Sequence, residues 1–203
     1  LQENVEDNFF VQEFKKQLKV LEDDKVEFDL RRAIGMVPQG VAILPEILPA
    51  VKEYFPGYEV VSTEEKLYEQ IEDVKYKFKG YIDAVFKTPD GKYHIVDWKS
   101  CSWGWNAQRR TERITTYQLT LYKHFYCKKH NIDPSLVETH FALLKRTAKN
   151  QKVELFRVTS GSKKTNNALK LLNMAIYNID KKRYIKKRSS CTKCAFNMTE
   201  ECP

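Results

Sequence analysis

The sequence predicts an α/β (α+β) domain with a mixed central β-sheet flanked by helices, and three observations carry that expectation. Residues 80–100, GYIDAVFKTPDGKYHIVDWKS, hold two segments of period-2 alternation around Pro89-Asp90-Gly91, the composition of a three-residue hairpin loop. Segments 11–24 and 106–129 carry apolar residues at helical spacing. The runs HFALLKR (140–146) and KVELFRV (152–158) suit two further strands and precede a helical pattern over about 163–182. The resulting order, α, strand meander, α, β, β, α, needs helices packed over a sheet.

In chain order, VQEFKKQLKVLEDD (11–24) is an amphipathic helix, and residues 34–57, with Pro38, Pro45, Pro49 and Pro56, suit a loop followed by a short helix from Pro45 to Tyr54. EVVSTEEKLYEQI (59–71) is β-branched at its start and leads as a strand into the hairpin. Within the hairpin, Ile82, Ala84 and Phe86 share one face, as do His94, Val96 and Trp98, so that Asp83, Asp97 and Lys99 lie on the other. If Thr88 pairs with Lys92, Asp83 falls opposite Asp97 with Cβ atoms roughly 5 Å apart. Like charges so opposed call for a proton or a cation between them. A surface hairpin with a loose salt bridge would use the same residue types. In the next helix Ile114, Gln118, Leu121, Tyr122 and Phe125 fall on one stripe, with a glutamine inside an otherwise apolar and aromatic face. There is no internal repeat and no low-complexity segment.

At 203 residues, 42% hydrophobic and 12% aromatic, the chain is long enough for one folded domain, expected over 1–190, with a cysteine-rich tail over 191–203. No apolar run approaches the roughly 20 residues of a membrane span. The chain begins at Leu1 without a charged-then-apolar leader. The expectation is therefore a soluble, non-secreted, cytoplasmic protein of a bacterial or phage-infected cell, lacking some upstream residues and needing no membrane partner.

The net charge of +8 is unevenly spread: residues 1–100 carry 14 Lys/Arg against 20 Asp/Glu, and residues 145–190 carry 14 against 2. Such a basic stretch suits a polyanion, or is simply a solvated face. Phe156, Tyr177 and Tyr184 interleave with it, compatible with base stacking or with core packing. Five cysteines without an export signal do not suggest a disulfide framework. Cys191, Cys194 and Cys202 give C-x2-C-x7-C, a spacing whose first pair can clasp one metal centre, the alternative being reduced thiols in a tail.

Taken together, G-Y-I-D at Gly80 to Asp83, I-V-D-W-K at Ile95 to Lys99 and Q-L-T-L-Y at Gln118 to Tyr122 resemble the PD-(D/E)xK nucleases. The resemblance is to the RecB-like group, which includes the CRISPR-associated RecB-like exonucleases and the mitochondrial genome maintenance exonuclease. It spans roughly residues 59–125 and implies a restriction-endonuclease-like core. It also implies that Asp83 and Asp97 are metal-binding carboxylates, with the backbone carbonyl of Trp98 a further ligand, and that Lys99 orients or activates the attacking water. Gln118 and Tyr122 would position the DNA strand or the lysine, and an acid on the preceding strand would complete the site, here Glu65 or its neighbour Glu64. The implied cofactor is Mg²⁺ or Mn²⁺, which carboxylates select. Cys191, Cys194 and Cys202 would be candidates for a 4Fe-4S cluster or a zinc site, and Arg109, Arg110, Arg113, Lys181, Lys182 and Arg183 for DNA contacts.

The implied function is a metal-dependent DNA nuclease, as an exonuclease on single strands or ends in recombination, repair or phage DNA processing, with a helicase or recombination partner. A catalytically weak nucleic-acid-binding or assembly subunit and an RNA endonuclease are the alternatives. On this expectation the charged hairpin face is the incompletely buried floor of a metal site.

Overall fold

The computed structural model describes residues 3–183 and 188–200. The chain forms two compact units, Leu1–Thr165 and Asn166–Pro203. In the first, helix α1 (Glu3–Asp23) is followed by the short helices α2 (Leu30–Ile34) and α3 (Val37–Val41), then by α4 (Leu44–Tyr54). The loop expected from residue 34 onward is thus partly helical. Pro38 sits at the start of α3, where a missing N–H costs nothing, and Pro45 does the same for α4.

Strands β1 (Glu59–Gln70), β2 (Lys77–Lys87) and β3 (Tyr93–Cys101) form an antiparallel meander. The helices α5 (Ala107–Thr111) and α6 (Arg113–His130) then cross over to β4 (Val137–Lys145), which pairs parallel with β3, and β5 (Val153–Val158) closes the sheet antiparallel to β4. The strand order is β1-β2-β3-β4-β5, a mixed five-stranded sheet flanked by helices as expected. Helix α7 (Ser162–Asp180) runs into the second unit, close to the expected 163–182.

Both faces of the sheet are covered. On one, Val51 and Phe55 of α4 pack with Ala84, Phe86, Val96 and Ala142, and Ile47, Tyr58, Trp98 and Leu155 border that cluster. On the other, α6 lays Phe125 on Phe78 with stacked rings 4.3 Å apart and Tyr126 near Tyr93 at 6.4 Å. Alternation along β3 therefore sends His94, Val96 and Trp98 toward α4, and Tyr93, Ile95, Asp97 and Lys99 toward α6.

Two expectations about α6 are corrected. The helical segment breaks at Glu112, whose backbone is extended (φ −55°, ψ 122°), so α5 and α6 are separate. Ile114 lies next to that break and is 61% exposed, outside the buried stripe. The buried face is Thr116, Leu119, Thr120, Tyr122, Phe125, Tyr126 and Cys127. Thr116 and Thr120 tolerate burial because each hydroxyl donates to a helix carbonyl, of Arg113 and Thr116 respectively.

Candidate active site

The turn at Pro89-Asp90-Gly91 sets the geometry. The Thr88 N–H donates to the Lys92 carbonyl (3.0 Å), Gly91 takes φ +82°, and the ladder runs Lys87↔Tyr93, Phe86↔His94, Val85↔Ile95, Ala84↔Val96, the expected register. Pairing stops one step short of the two acids. Instead of simply facing Asp97, Asp83 turns its carboxylate onto the next strand, where Oδ2 accepts from the Trp98 N–H at 2.7 Å.

A local irregularity accompanies this. Phe78 and Gly80 face α6, yet Ala84 and Phe86 face α4, so the alternation of β2 slips by one residue between Gly80 and Ala84. Ile82 and Ala84 are consequently not the simple same-face pair that strict alternation predicts. Across from the slip, Glu64 of β1 adopts φ +49°, between the pairs Thr63↔Ala84 and Glu65↔Ile82. Irregularities of this kind release a side chain from the ladder and re-aim it.

Asp97 is the centre of the charged group. It is only 2% exposed, whereas Asp83 and Lys99 are half-buried, so the charged face is incompletely buried as expected but its central carboxylate is enclosed. Burial pushes its pKa up to about 6; the charge of Asp83 adds to the rise, while Lys99 opposes it by contact and by charge. Lys99 Nζ lies 2.7 Å from Asp97 Oδ2 as an ion pair. The lysine head remains partly open, its side chain 31% exposed. A buried carboxylate with a second acid beside it suits a hard divalent cation.

Gln118 and Tyr122 form a unit on α6. Gln118 Nε2 donates to the Tyr122 hydroxyl at 3.0 Å, and the Tyr122 ring, 8% exposed, packs directly on Gly80. A methyl group at Gly80 would stand 2.7 Å from Tyr122 Cε1. The glycine three residues before Asp83 is therefore the seat of the tyrosine four residues after Gln118, which joins α6 to β2 beside the acid.

Glu65 is placed differently. Its carboxylate accepts from Lys129 Nζ (2.8 Å) and Ser62 Oγ (2.5 Å) and pairs with His130 Nε2 (2.5 Å). Burial works against its charge, but those three partners outweigh it and hold the group below the usual carboxylate range. The charges acting on Asp97 are those of Lys99 and Asp83, whereas Glu65 acts on Tyr126. Glu64 is exposed.

Of the basic residues, Arg110 is engaged within the fold: it pairs with Glu154, donates from Nε to the Trp105 carbonyl at 2.9 Å and lies 4.5 Å over the Phe156 ring. Phe156 also packs near Phe141 and Trp105, so its role is packing. Arg109 pairs with Glu112 and lies over Trp105, and Arg113 is exposed. In the second unit Lys181, Lys182 and Arg183 are exposed, and Arg183 covers the half-exposed Tyr177. Cys191 and Cys194 lie on one turn, with the Cys194 N–H donating to the Cys191 carbonyl (3.0 Å). Cys202 and Tyr184 lie outside the described residues.

One cluster was not anticipated. His94, Glu138 and His140 converge on the α4 face, with His94 Nδ1 3.1 Å from His140 Nε2. Burial lowers the pKa of both imidazoles; for His140 the neighbouring His94 and Arg157 lower it further, to about 3. The only sequence signal was Glu138-Thr139-His140, two ligand types at strand spacing, and its partner strand comes from a parallel pairing that local sequence does not specify.

Comparison with known proteins bears on the family and the fold. A family model for the PD-(D/E)XK nuclease superfamily matches residues 10–199. The crystal structure of SSO0001 aligns at 17% identity over 89% of this chain and 78% of that chain, with a TM-score of 0.45. The crystal structure of a "Putative exonuclease" from Eubacterium rectale aligns at 14% identity over 89% of this chain and 68% of that chain, with a TM-score of 0.52, a likeness of fold. No curated protein matches.

Proposed function

The chain belongs to the PD-(D/E)XK nuclease superfamily, and from that premise we propose that it is a Mg²⁺- or Mn²⁺-dependent deoxyribonuclease of the RecB-like kind, removing nucleotides from DNA ends. The observation that carries this is the enclosed Asp97 carboxylate, with Asp83 beside it and Lys99 Nζ 2.7 Å from Oδ2. Asp83 and Asp97 would hold the ion, and the ion when bound supplies Lewis-acid polarisation of the phosphoryl group and a more acidic water.

The chain's own residues do the rest. The Trp98 N–H holds one oxygen of Asp83 and so fixes the direction of the other. Lys99 balances the charge of Asp97 and presents its ammonium, partly open to solvent, where negative charge grows on the phosphate and where a water can be oriented. Tyr122, seated on Gly80 and bonded through its hydroxyl to Gln118, keeps α6 against β2 and thereby holds Asp83 in place.

End dependence is tested with circular and linear single-stranded DNA in Mg²⁺ or Mn²⁺. Loss of the linear form alone is the expected result; cut circles would instead make the protein an endonuclease. The exposed Lys181, Lys182 and Arg183 are proposed DNA contacts. Reversing all three to Glu is expected to weaken binding and to reduce the slope of log affinity against log salt by up to about three. An unchanged slope would make that segment a solvated surface.

A further inference from the structure

The parallel register of β3 and β4 sets His94 beside Glu138 and Val96 beside His140, which gathers three ligand-type side chains on the sheet face opposite Asp97. Their inner atoms form a triangle. His94 Nδ1 and His140 Nε2 are 3.1 Å apart, and each is 3.9 Å from Glu138 Oε2. A triangle of sides 3.1, 3.9 and 3.9 Å has a circumscribed radius of about 2.1 Å, which is the bond length of Zn²⁺ to imidazole nitrogen and carboxylate oxygen. The three atoms are thus spaced so that one ion of that size could reach all of them with small adjustment.

Part of the surroundings fits an ion, although His140 Nδ1 is buried without a hydrogen-bond partner among the described residues. His94 Nε2 lies 2.8 Å from Thr88 Oγ1, the outer hydrogen bond that orients a ligating imidazole. The opposite oxygen of the carboxylate, Glu138 Oε1, is taken by Arg157 (3.2 Å) and Lys92 (3.6 Å), which fixes the carboxylate with Oε2 toward the histidines. Those two cations oppose the charge of a bound ion, while Asp90, 3.5 Å from Lys92, offsets part of that. His94, Glu138 and His140 line a cleft of about 500 Å³ between the end of α4 and the hairpin turn, with room for a solvent ligand.

We propose that His94 Nδ1, His140 Nε2 and Glu138 Oε2 hold a first-row divalent ion of the Zn²⁺ type, with a further coordination position open to the cleft. Two imidazoles and one carboxylate select such an ion over Mg²⁺, so the site is distinct in chemistry from the acid pair of Asp83 and Asp97. Bridging β3 to β4, it clamps the parallel junction of the sheet. The proposal does not depend on the nuclease assignment.

The test uses the full chain carrying Asp97→Asn together with Cys191→Ser, Cys194→Ser and Cys202→Ser, which breaks the acid pair and removes the tail thiolates as competitors. Co²⁺ serves as the spectroscopic probe. One equivalent bound with visible d–d bands and no thiolate charge-transfer band, displaced by Zn²⁺, is the expected result. Adding Glu138→Gln should remove the bands, and adding Thr88→Ala, which leaves all three ligands in place, should weaken affinity about 10- to 100-fold. Circular dichroism establishes that each variant is folded, and Thr88→Ala decides the matter if Glu138→Gln is not. No uptake of Co²⁺, or uptake that neither substitution alters, would overturn the proposal and leave His94 and His140 as a hydrogen-bonded core pair.

Discussion

Asp97→Asn is expected to abolish cleavage and, in the absence of divalent ions, to make the protein more stable. The two effects share one cause. An enclosed carboxylate is costly to ionise, and its pKa near 6 stands above the ordinary carboxylate range near 4, so the folded chain binds the proton more tightly than the unfolded one. The contribution of Asp97 to stability is therefore fully present below about pH 4, declines as pH rises toward 6, and stays low above that. At about 1.4 kcal/mol per pKa unit the cost above pH 6 is on the order of 1–3 kcal/mol. Asparagine carries no charge and escapes it. Lys99 loses its partner in the variant, but its partly exposed ammonium can be hydrated, so that loss is a modest offset. Denaturant unfolding in EDTA should show the variant ahead of the parent at pH 8 and level with it at pH 4, while cleavage in Mg²⁺ falls at least 10²-fold. A variant no more stable at pH 8 would mean that burial does not make the Asp97 charge costly.

Gly80→Ala is the second large effect, and it acts through packing. The added methyl would meet Tyr122 Cε1 at 2.7 Å and Phe78 Cε1 at 3.2 Å, in a region where Phe78 is already stacked on Phe125 and the Tyr122 ring is buried. Overpacking of this kind costs about 1–3 kcal/mol, several degrees in Tm for a chain of this length. Because β2 reaches Asp83 three residues later, cleavage should fall as well. Combining Gly80→Ala with Tyr122→Ala should cost less than the two single changes added together, since removing the ring makes room for the methyl. Strict additivity in that double-mutant cycle would separate Gly80 from Tyr122.

Much of the architecture could be read from local sequence because its causes are local. The turn chemistry of Pro89-Asp90-Gly91 placed Thr88 against Lys92, and that single pair carried the register of the hairpin as far as Ala84 and Val96. The mixed sheet flanked by helices followed from the order of periodic segments. What could not be read depends on partners far away in the chain. Asp97 is enclosed because α6 returns over β3, and Glu65 is tied to Lys129 and His130, more than 60 residues on. The slip in β2 opposite Glu64 breaks the alternation on which the face assignment of Ile82 and Ala84 rested. His94, Glu138 and His140 meet only through the parallel pairing of β3 with β4. The helix running through 106–129 fails at Glu112 for a backbone reason that the apolar spacing does not encode.

The most direct measurement is digestion of end-labelled linear DNA by the chain and by its Lys99→Ala variant, in Mg²⁺, in Mn²⁺ and in EDTA, with both proteins shown to be folded. Lys99 is the residue to remove because its ammonium stands 2.7 Å from Asp97 Oδ2 and belongs to no other ion pair among the described residues. Metal-dependent release of the label that falls at least 10²-fold in the variant is the predicted result. Equal rates for the two proteins, or cleavage that persists in EDTA, would contradict a metal-dependent nuclease site at Asp83, Asp97 and Lys99.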